Sequence, residues 1–276
     1  MLKTRVITAL WLAPLAFLLI FALPTRWFAA ALALLLLVGA WEYQRLAALE
    51  GSAGGWALIT VQAIIFLGIG WYWGLLLQQA QVVFLAGVGA WLLMLLRLQG
   101  FRSGRKPDAN YRKLSALSAL MSISLAWFSL AWLHSREHGP WWIVALLLII
   151  WAADIGAYFT GRAMGKRKLA IHLSPGKTLE GLAGGLLAAG VIGWAAIAYL
   201  PLGQHGHLAW LILAILTALI SVGGDLFISL HKRTSGYKDS GHIFPGHGGV
   251  LDRLDSLMAG APLFSLGVIF LSGSGT

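Results

Sequence analysis

Ten acidic residues are few for a chain of 276, and six of them lie in its second half: Asp154, Glu180, Asp225, Asp239, Asp252 and Asp255. Asp225, Ser229 and Arg233 recur at i, i+4 and i+8, so one helical face carries acid, hydroxyl and base. Asp252 and Asp255, at i and i+3, share a face in the same way. Lys177, Lys232, Arg233, Lys238 and Arg253 are interleaved with these acids. Such a set has two readings. The plainer one is ion pairing at helix ends. The chemical one is a hard divalent cation held by one or two carboxylates, with the bases neutralising phosphate.

Two further stretches belong with this set. Gly161 to Gly181 reads G-R-A-M-G-K-R-K-L-A-I-H-L-S-P-G-K-T-L-E-G. Its Ser174-Pro175-Gly176-Lys177-Thr178 segment leads into an apolar run. Free amides at a helix start there, with Lys177 and the hydroxyls of Ser174 and Thr178, make a phosphate cradle. It is not a Walker A loop, which needs an earlier glycine and a preceding strand. Pro245-Gly246-His247-Gly248-Gly249 permits tight turns and close approach of backbone N–H groups to a ligand. His247 either contacts phosphate or base, or orders the turn. His172, His231 and His242 read as polar loop residues. No histidine pair has zinc-protease spacing, and no Ser-His-Asp order stands out.

The elements that must carry these residues are apolar. Hydrophobic residues make up 59% of the chain and charged residues 11%, against roughly 25% charged in a soluble domain. Runs long enough to cross a bilayer, about 20 residues each, fall at 6–23, 27–41, 55–73, 75–96, 115–134, 141–159, 181–200, 208–230 and 254–272. The first competes with a cleaved signal peptide, but it is long and no small-residue cleavage site precedes Arg26. The expectation is an all-α, polytopic integral membrane protein of about nine spans. Residues 1–140 would hold about five spans, and residues 141–276 four more with the catalytic loops 160–180 and 231–255. Cysteine is absent, which excludes disulfide and thiol chemistry.

Nine spans put 18 of the 20 basic residues on one side, leaving Arg26 and Arg136 on the other. Lys3, Arg5 and the basic loop 97–113, with Arg102 and Arg105, lie on the rich side. The positive-inside rule makes that side, and the N-terminus, cytoplasmic. A net charge of +10 then reflects orientation and attraction to anionic lipid or phosphate substrates, with no call for nucleic acid. Glu42, Glu50, Asp108 and Glu137 fall in loops or at span ends, where solvation accounts for them. The six later acids share one depth at the cytoplasmic surface, where an ionised carboxylate costs a few kcal/mol unless it meets a cation or water.

Ser229-Leu230-His231-Lys232-Arg233, Lys238-Asp239 and Pro245 through Asp255 closely resemble the signature of the phosphatidate cytidylyltransferase (CDP-diacylglycerol synthase) family. Asp154 to Phe159, Gly161-Arg162, Gly165-Lys166, Lys168-Leu169 and Ser174 to Thr178 are similar to the same family. Together they cover most of residues 150–260. The first five spans resemble it only in hydropathy and in Trp41-Glu42. Two departures stand out: His231 where the family usually has an apolar residue, and Ile171 where it usually has proline.

The resemblance implies an often dimeric enzyme of the inner (plasma) membrane, with a funnel open to the cytoplasm. It would condense CTP with phosphatidic acid, giving CDP-diacylglycerol and pyrophosphate, with Mg²⁺ and an assisting K⁺. Asp225 and Asp252 become the metal ligands by similarity, and Asp239, Asp255 and Asp154 further catalytic acids. Lys177, Lys232, Arg233 and Lys238 would meet phosphate and Arg253 would orient Asp252. Ser174, Thr178, Ser229, His247, Gly248 and Gly249 complete the substrate-binding set. Two rivals remain at this point. One is a CTP-dependent enzyme with another lipid acceptor, such as a polyprenol-type kinase. The other is a transporter, which would place ionisable sites at mid-membrane in repeated halves.

Overall fold

The computed structural model describes residues 2–100, 106–197 and 206–271. Arg102 and Arg105, and the side chains of Lys3 and Arg5, lie outside what it describes. Ten helices occur in it: α1 (Leu2–Ala22), α2 (Thr25–Leu46), α3 (Ala53–Trp71), α4 (Trp73–Gln78), α5 (Ala80–Leu96), α6 (Ala109–Ser135), α7 (Gly139–Met164), α8 (Leu179–Ala196), α9 (Gly206–Thr234) and α10 (Leu251–Leu271). Seven are long and apolar enough to cross a membrane: α2, α3, α6, α7, α8, α9 and α10. Leu10–Ala22 and Ala80–Leu96 are shorter apolar helices. The chain is thus an all-α polytopic membrane protein, as its hydropathy predicts.

Local chemistry sets several helix starts. Asp108 accepts from the Tyr111 amide at 2.7 Å to cap α6, and Ser52 accepts from the Gly55 amide at 3.2 Å to cap α3. Each cap satisfies a donor that the first helical turn leaves without a partner.

One small sheet departs from the expected pattern. Lys168–Ala170 (β1) and Ser174–Thr178 (β2) form an antiparallel hairpin between α7 and α8. The S-P-G-K-T segment is therefore a strand rather than a helix start, and Thr178 caps α8 with its hydroxyl 3.0 Å from the Gly181 amide. Proline and glycine are tolerated because this is a two-stranded edge element. The hairpin seats Leu173 on Leu226 and Leu230 of α9.

The core is continuous across the two halves of the chain. One cluster joins Phe28 and Phe84 to Trp142, Trp210 and Phe264. A second, at the opposite end of the bundle, joins Tyr43, Leu46 and Trp91 to Phe227, Leu251 and Met258. This second cluster is the floor beneath the polar loops. Residues 1–140 thus share their core with residues 141–276.

His231 belongs to that floor and corrects the loop reading given to it. It is 0% exposed, on α9, with Nδ1 2.8 Å from the Phe227 carbonyl and its ring against Tyr43, Tyr111 and Phe227. A basic neighbour at Lys232 disguised a buried position in the sequence.

Candidate active site

Asp225 lies in the penultimate stretch of α9, and its carboxylate meets two groups. Lys177 of β2 approaches Oδ2 at 2.5 Å, and the Ser229 hydroxyl donates to Oδ1 at 3.3 Å. The i, i+4 spacing seen in the sequence delivers that serine. Lys177 arrives from the hairpin, which the sequence did not show. Arg233, the third residue of that face, turns instead to the Leu173 carbonyl, 3.2 Å from Nε, and ties the hairpin to α9.

Asp252 opens α10 and is held by a separate set of donors. Lys232 Nζ donates to Oδ1 at 2.8 Å. The Ser240 amide at 2.7 Å, the Ser240 hydroxyl at 3.0 Å and the Gly249 amide at 2.9 Å all donate to Oδ2. Among the described residues no hydrogen bond runs from Arg253 to Asp252. Lys232 is the cation that orients it, and Arg253 is exposed.

Asp255 sits between the two pairs. It is 9% exposed, its Oδ1 accepts from the Ser256 amide, and Asp225, Lys232 and Lys177 all lie within electrostatic range. Asp154, on α7, is within range of Lys177, Asp225 and Arg253. Four elements therefore bring Asp154, Lys177, Asp225, Ser229, Lys232, Asp252 and Asp255 to one end of the bundle. The remaining predicted residues are placed less centrally. Lys238 and Asp239 are exposed on the loop before Ser240. Thr178 is buried and its hydroxyl is occupied as a cap. Glu180 accepts from the amides of Lys166 and Arg167 and closes the base of the hairpin.

The glycine-rich turn fits around Asp252. The Phe244 amide donates to the Gly248 carbonyl at 2.9 Å, and the His247 amide to the Phe244 carbonyl at 2.8 Å. Gly248 has φ +81°, and a Cβ there would stand 2.4 Å from Asp252 Oδ2. Only glycine suits both the backbone and the contact. His247 lies within this turn, half-buried.

Sequence reasoning missed one residue outright. Glu42 of α2 is 0% exposed, not solvated at a span end. It accepts from the Val250 and Leu251 amides at 3.0 Å each and from the Ser240 hydroxyl at 2.9 Å. A carboxylate is thus placed against the free amides of the first turn of α10, where the helix dipole favours negative charge. The signal was present: an acid amid A-W-E-Y-Q at the end of an apolar run, beside the family-like Trp41.

A cavity of about 390 Å³ opens next to this site, between α7, the hairpin, α8 and α9. Asp154 and Lys177 line it, so it abuts the Asp225–Lys177 pair.

The arrangement suits polyanions. It presents ammonium groups already anchored on carboxylates, backbone amides and hydroxyls, and no side chain poised as a nucleophile. Among the described residues no group of three or more His, Cys, Asp or Glu side chains forms a ready metal cage. Mg²⁺ usually takes one or two carboxylates and completes its shell with water and substrate phosphate. The carboxylates present fit such an ion. Asp225 has a single donor on each oxygen, and Asp252 Oδ1 has Lys232 alone, so each keeps lone pairs to offer.

Comparison of the sequence with known proteins matches it to a family. The sequence profile described as the Cytidylyltransferase family covers residues 3–271. A phosphatidate cytidylyltransferase of Pseudomonas aeruginosa is 38% identical over 271 residues, covering 96% of each chain. One from Haemophilus influenzae is 35% identical over 292 aligned residues, covering 98% of this chain and all of the relative. A third, from Brucella suis, is 40% identical over 220 residues, 78% of this chain and 73% of the relative.

Proposed function

The chain belongs to the cytidylyltransferase family, and from that membership we infer what its polar site does. It transfers the cytidylyl group of CTP to phosphatidic acid, giving CDP-diacylglycerol and pyrophosphate for phospholipid synthesis. The observation that carries this is the extent of the match, which takes in Glu42, Lys177, Asp225, Lys232, Asp252 and the turn around them.

The reaction asks little of a general base. The phosphomonoester of phosphatidic acid is already anionic near neutral pH. One of its oxygens bonds to the α-phosphorus of CTP, and the bond from that phosphorus to the bridging oxygen of pyrophosphate breaks. What remains is to hold two polyanions in line and to stabilise charge on the leaving group, which is a matter of positioning and electrostatics. Lys177 and Lys232, each anchored on an aspartate, keep their charge at a fixed place without reorganisation. Lys238, exposed on the loop, is the arm that closes onto the nucleotide phosphates, with His247, Gly248 and Gly249 beneath it. Asp255 and Asp154 set the field between the two lysines.

Mg²⁺ held by Asp225 and Asp252 would neutralise the nucleotide phosphates. K⁺ is proposed only as an auxiliary ion. The site faces the cytoplasm of an inner (plasma) membrane, a reading supported by the concentration of basic residues on its side. A homodimer is the assembly the resemblance implies.

The decisive assay is CTP-dependent pyrophosphate release from phosphatidic acid by purified protein, with the lipid product identified. Asp252→Asn and Lys238→Ala should each lower turnover, the first by about a hundredfold or more. Parental turnover in folded variants would remove those roles. A product formed from polyprenol and not from phosphatidate would replace the acceptor.

A further inference from the structure

The two substrates of this reaction differ in where they come from, since CTP arrives through water and phosphatidic acid through the bilayer. We propose that the cavity between α7, the hairpin and α8 is the phosphatidate headgroup site, with Arg162 and Lys177 as its two phosphate contacts. The nucleotide then occupies the opposite side, at Lys232 and the Gly248-Gly249 turn. The assignment rests on the inferred cytidylyl transfer to phosphatidate and names the subsite of one substrate.

Four observations support it. First, size: about 390 Å³ is in the range of small-ligand pockets and suits a glycerol phosphate while leaving the acyl chains outside. Second, charge: two bases, Arg162 and Lys177, and one acid, Asp154, line it. Lys177 is anchored on Asp225. Arg162 spends one N–H on the Tyr158 hydroxyl, 2.9 Å away, and makes no ion pair among the described residues. A guanidinium has five N–H donors in a fixed fork that matches a phosphate.

Third, the face of α7 beside the cavity is exposed and apolar. Tyr158 and Arg162 are exposed, and beside them Ile155 (58% exposed) and Phe159 (65%) point outward from the same turns of α7. Large apolar side chains exposed on a membrane-spanning helix meet acyl chains, and an arginine near such a helix end reaches for the headgroup layer. A lipid can therefore bring its phosphate into the cavity without leaving the bilayer. Fourth, the cavity ends where the chemistry must occur. Lys177 belongs both to its lining and to the Asp225 pair, whereas Lys232, Asp252 and the glycine turn do not line it. One phosphate on each side of Lys177 brings the attacking oxygen and the α-phosphorus together across that side chain.

The test separates the two substrates. Arg162→Gln is assayed in mixed micelles, first varying the mole fraction of phosphatidic acid at saturating CTP, then varying CTP at saturating phosphatidate. Loss of a charge-assisted phosphate contact should raise the half-saturating phosphatidate fraction about tenfold and leave the KM for CTP within roughly twofold. Arg162→Lys should lie between the two, because it keeps charge and loses the fork. An unchanged phosphatidate dependence, or a shift in the CTP dependence instead, overturns the assignment. If Arg162→Gln has no turnover, retention of radiolabelled short-chain phosphatidate by the purified protein, which needs no turnover, decides: undiminished retention overturns it and weakened retention supports it. A parental protein that forms no product from CTP and phosphatidate would instead defeat the cytidylyl-transfer reading itself.

Discussion

Glu42 and Asp252, from opposite ends of the chain, accept from the same hydroxyl: Ser240 Oγ stands 2.9 Å from one and 3.0 Å from the other. A hydroxyl has one proton, so the two carboxylates share it, and the position of one constrains the other. Glu42 also holds the two amides that begin α10. The N-terminal half of the chain therefore reaches into the site through a buried carboxylate.

Glu42→Gln should expose that coupling. The amide retains one acceptor oxygen but turns an NH₂ toward groups that are themselves donors. Turnover should fall by roughly ten- to a hundredfold, the usual cost of losing a partner that orients an active-site group, with little change in the KM for CTP. Glu42→Ala would in addition leave the Val250 and Leu251 amides unpaired in a buried place, costing at least about 2–3 kcal/mol of stability. Thermal inactivation in detergent measures the second effect and initial rates the first. Parental kcat in Glu42→Gln would reduce Glu42 to a purely structural cap.

The proposed Mg²⁺ site gives a different kind of prediction. Chelation should abolish turnover, and added Mg²⁺ should restore it. In Asp225→Asn the Mg²⁺ concentration for half-maximal rate at fixed CTP should rise by about tenfold or more, because a carbonyl replaces a charged oxygen ligand. A parental Mg²⁺ midpoint in that variant would remove Asp225 from the ligand set.

His231 should be dispensable. Its Nε2 finds no partner, and three aromatic rings surround it. His231→Leu exchanges an unsatisfied buried polar atom for an apolar one, so stability should be unchanged or higher by up to about 1 kcal/mol. Activity should remain within about twofold. A large loss of activity with intact folding would show that the imidazole takes part in the chemistry.

How much of this was legible beforehand divides along physical lines. Membrane helices announce themselves because hydrocarbon demands long uninterrupted apolar runs, and α7, α9 and α10 lie close to where hydropathy puts them. The site residues of the C-terminal half were legible because they are charged and near one another in sequence. What stayed hidden depended on tertiary contact. Glu42 looks like a solvated helix end until α10 is placed on top of it. Asp225 and Lys177 are partners only because a hairpin, too short to leave a period, folds S-P-G-K-T back toward α9. Lys232, and not the adjacent-looking Arg253, orients Asp252, since direction off a helix matters more than sequence distance. His231 shows the same limit in reverse: the family's usual apolar residue at that place was the better guide to its burial.

Gly248 offers the sharpest local test of the turn. Two constraints meet there, a φ of +81° and an Asp252 oxygen 2.4 Å from where a Cβ would stand. Adding a methyl group combines left-handed strain with a hard contact against the Asp252 side chain. The contact cannot be relieved by a flexible tip, because Asp252 Oδ2 is itself fixed by the Ser240 and Gly249 amides. Either the turn opens or Asp252 rotates off its donors, and in both cases Lys232 loses its anchor. Gly248→Ala should therefore cost turnover at least about a hundredfold while leaving the membrane helices folded. Gly89→Ala is the control: it lies within α5, nothing stands within 4 Å of its Cβ, and helix propensity favours alanine by up to about 1 kcal/mol. Equal activity of the two variants would mean that the turn tolerates rearrangement and that the close approach to Asp252 is not needed for catalysis.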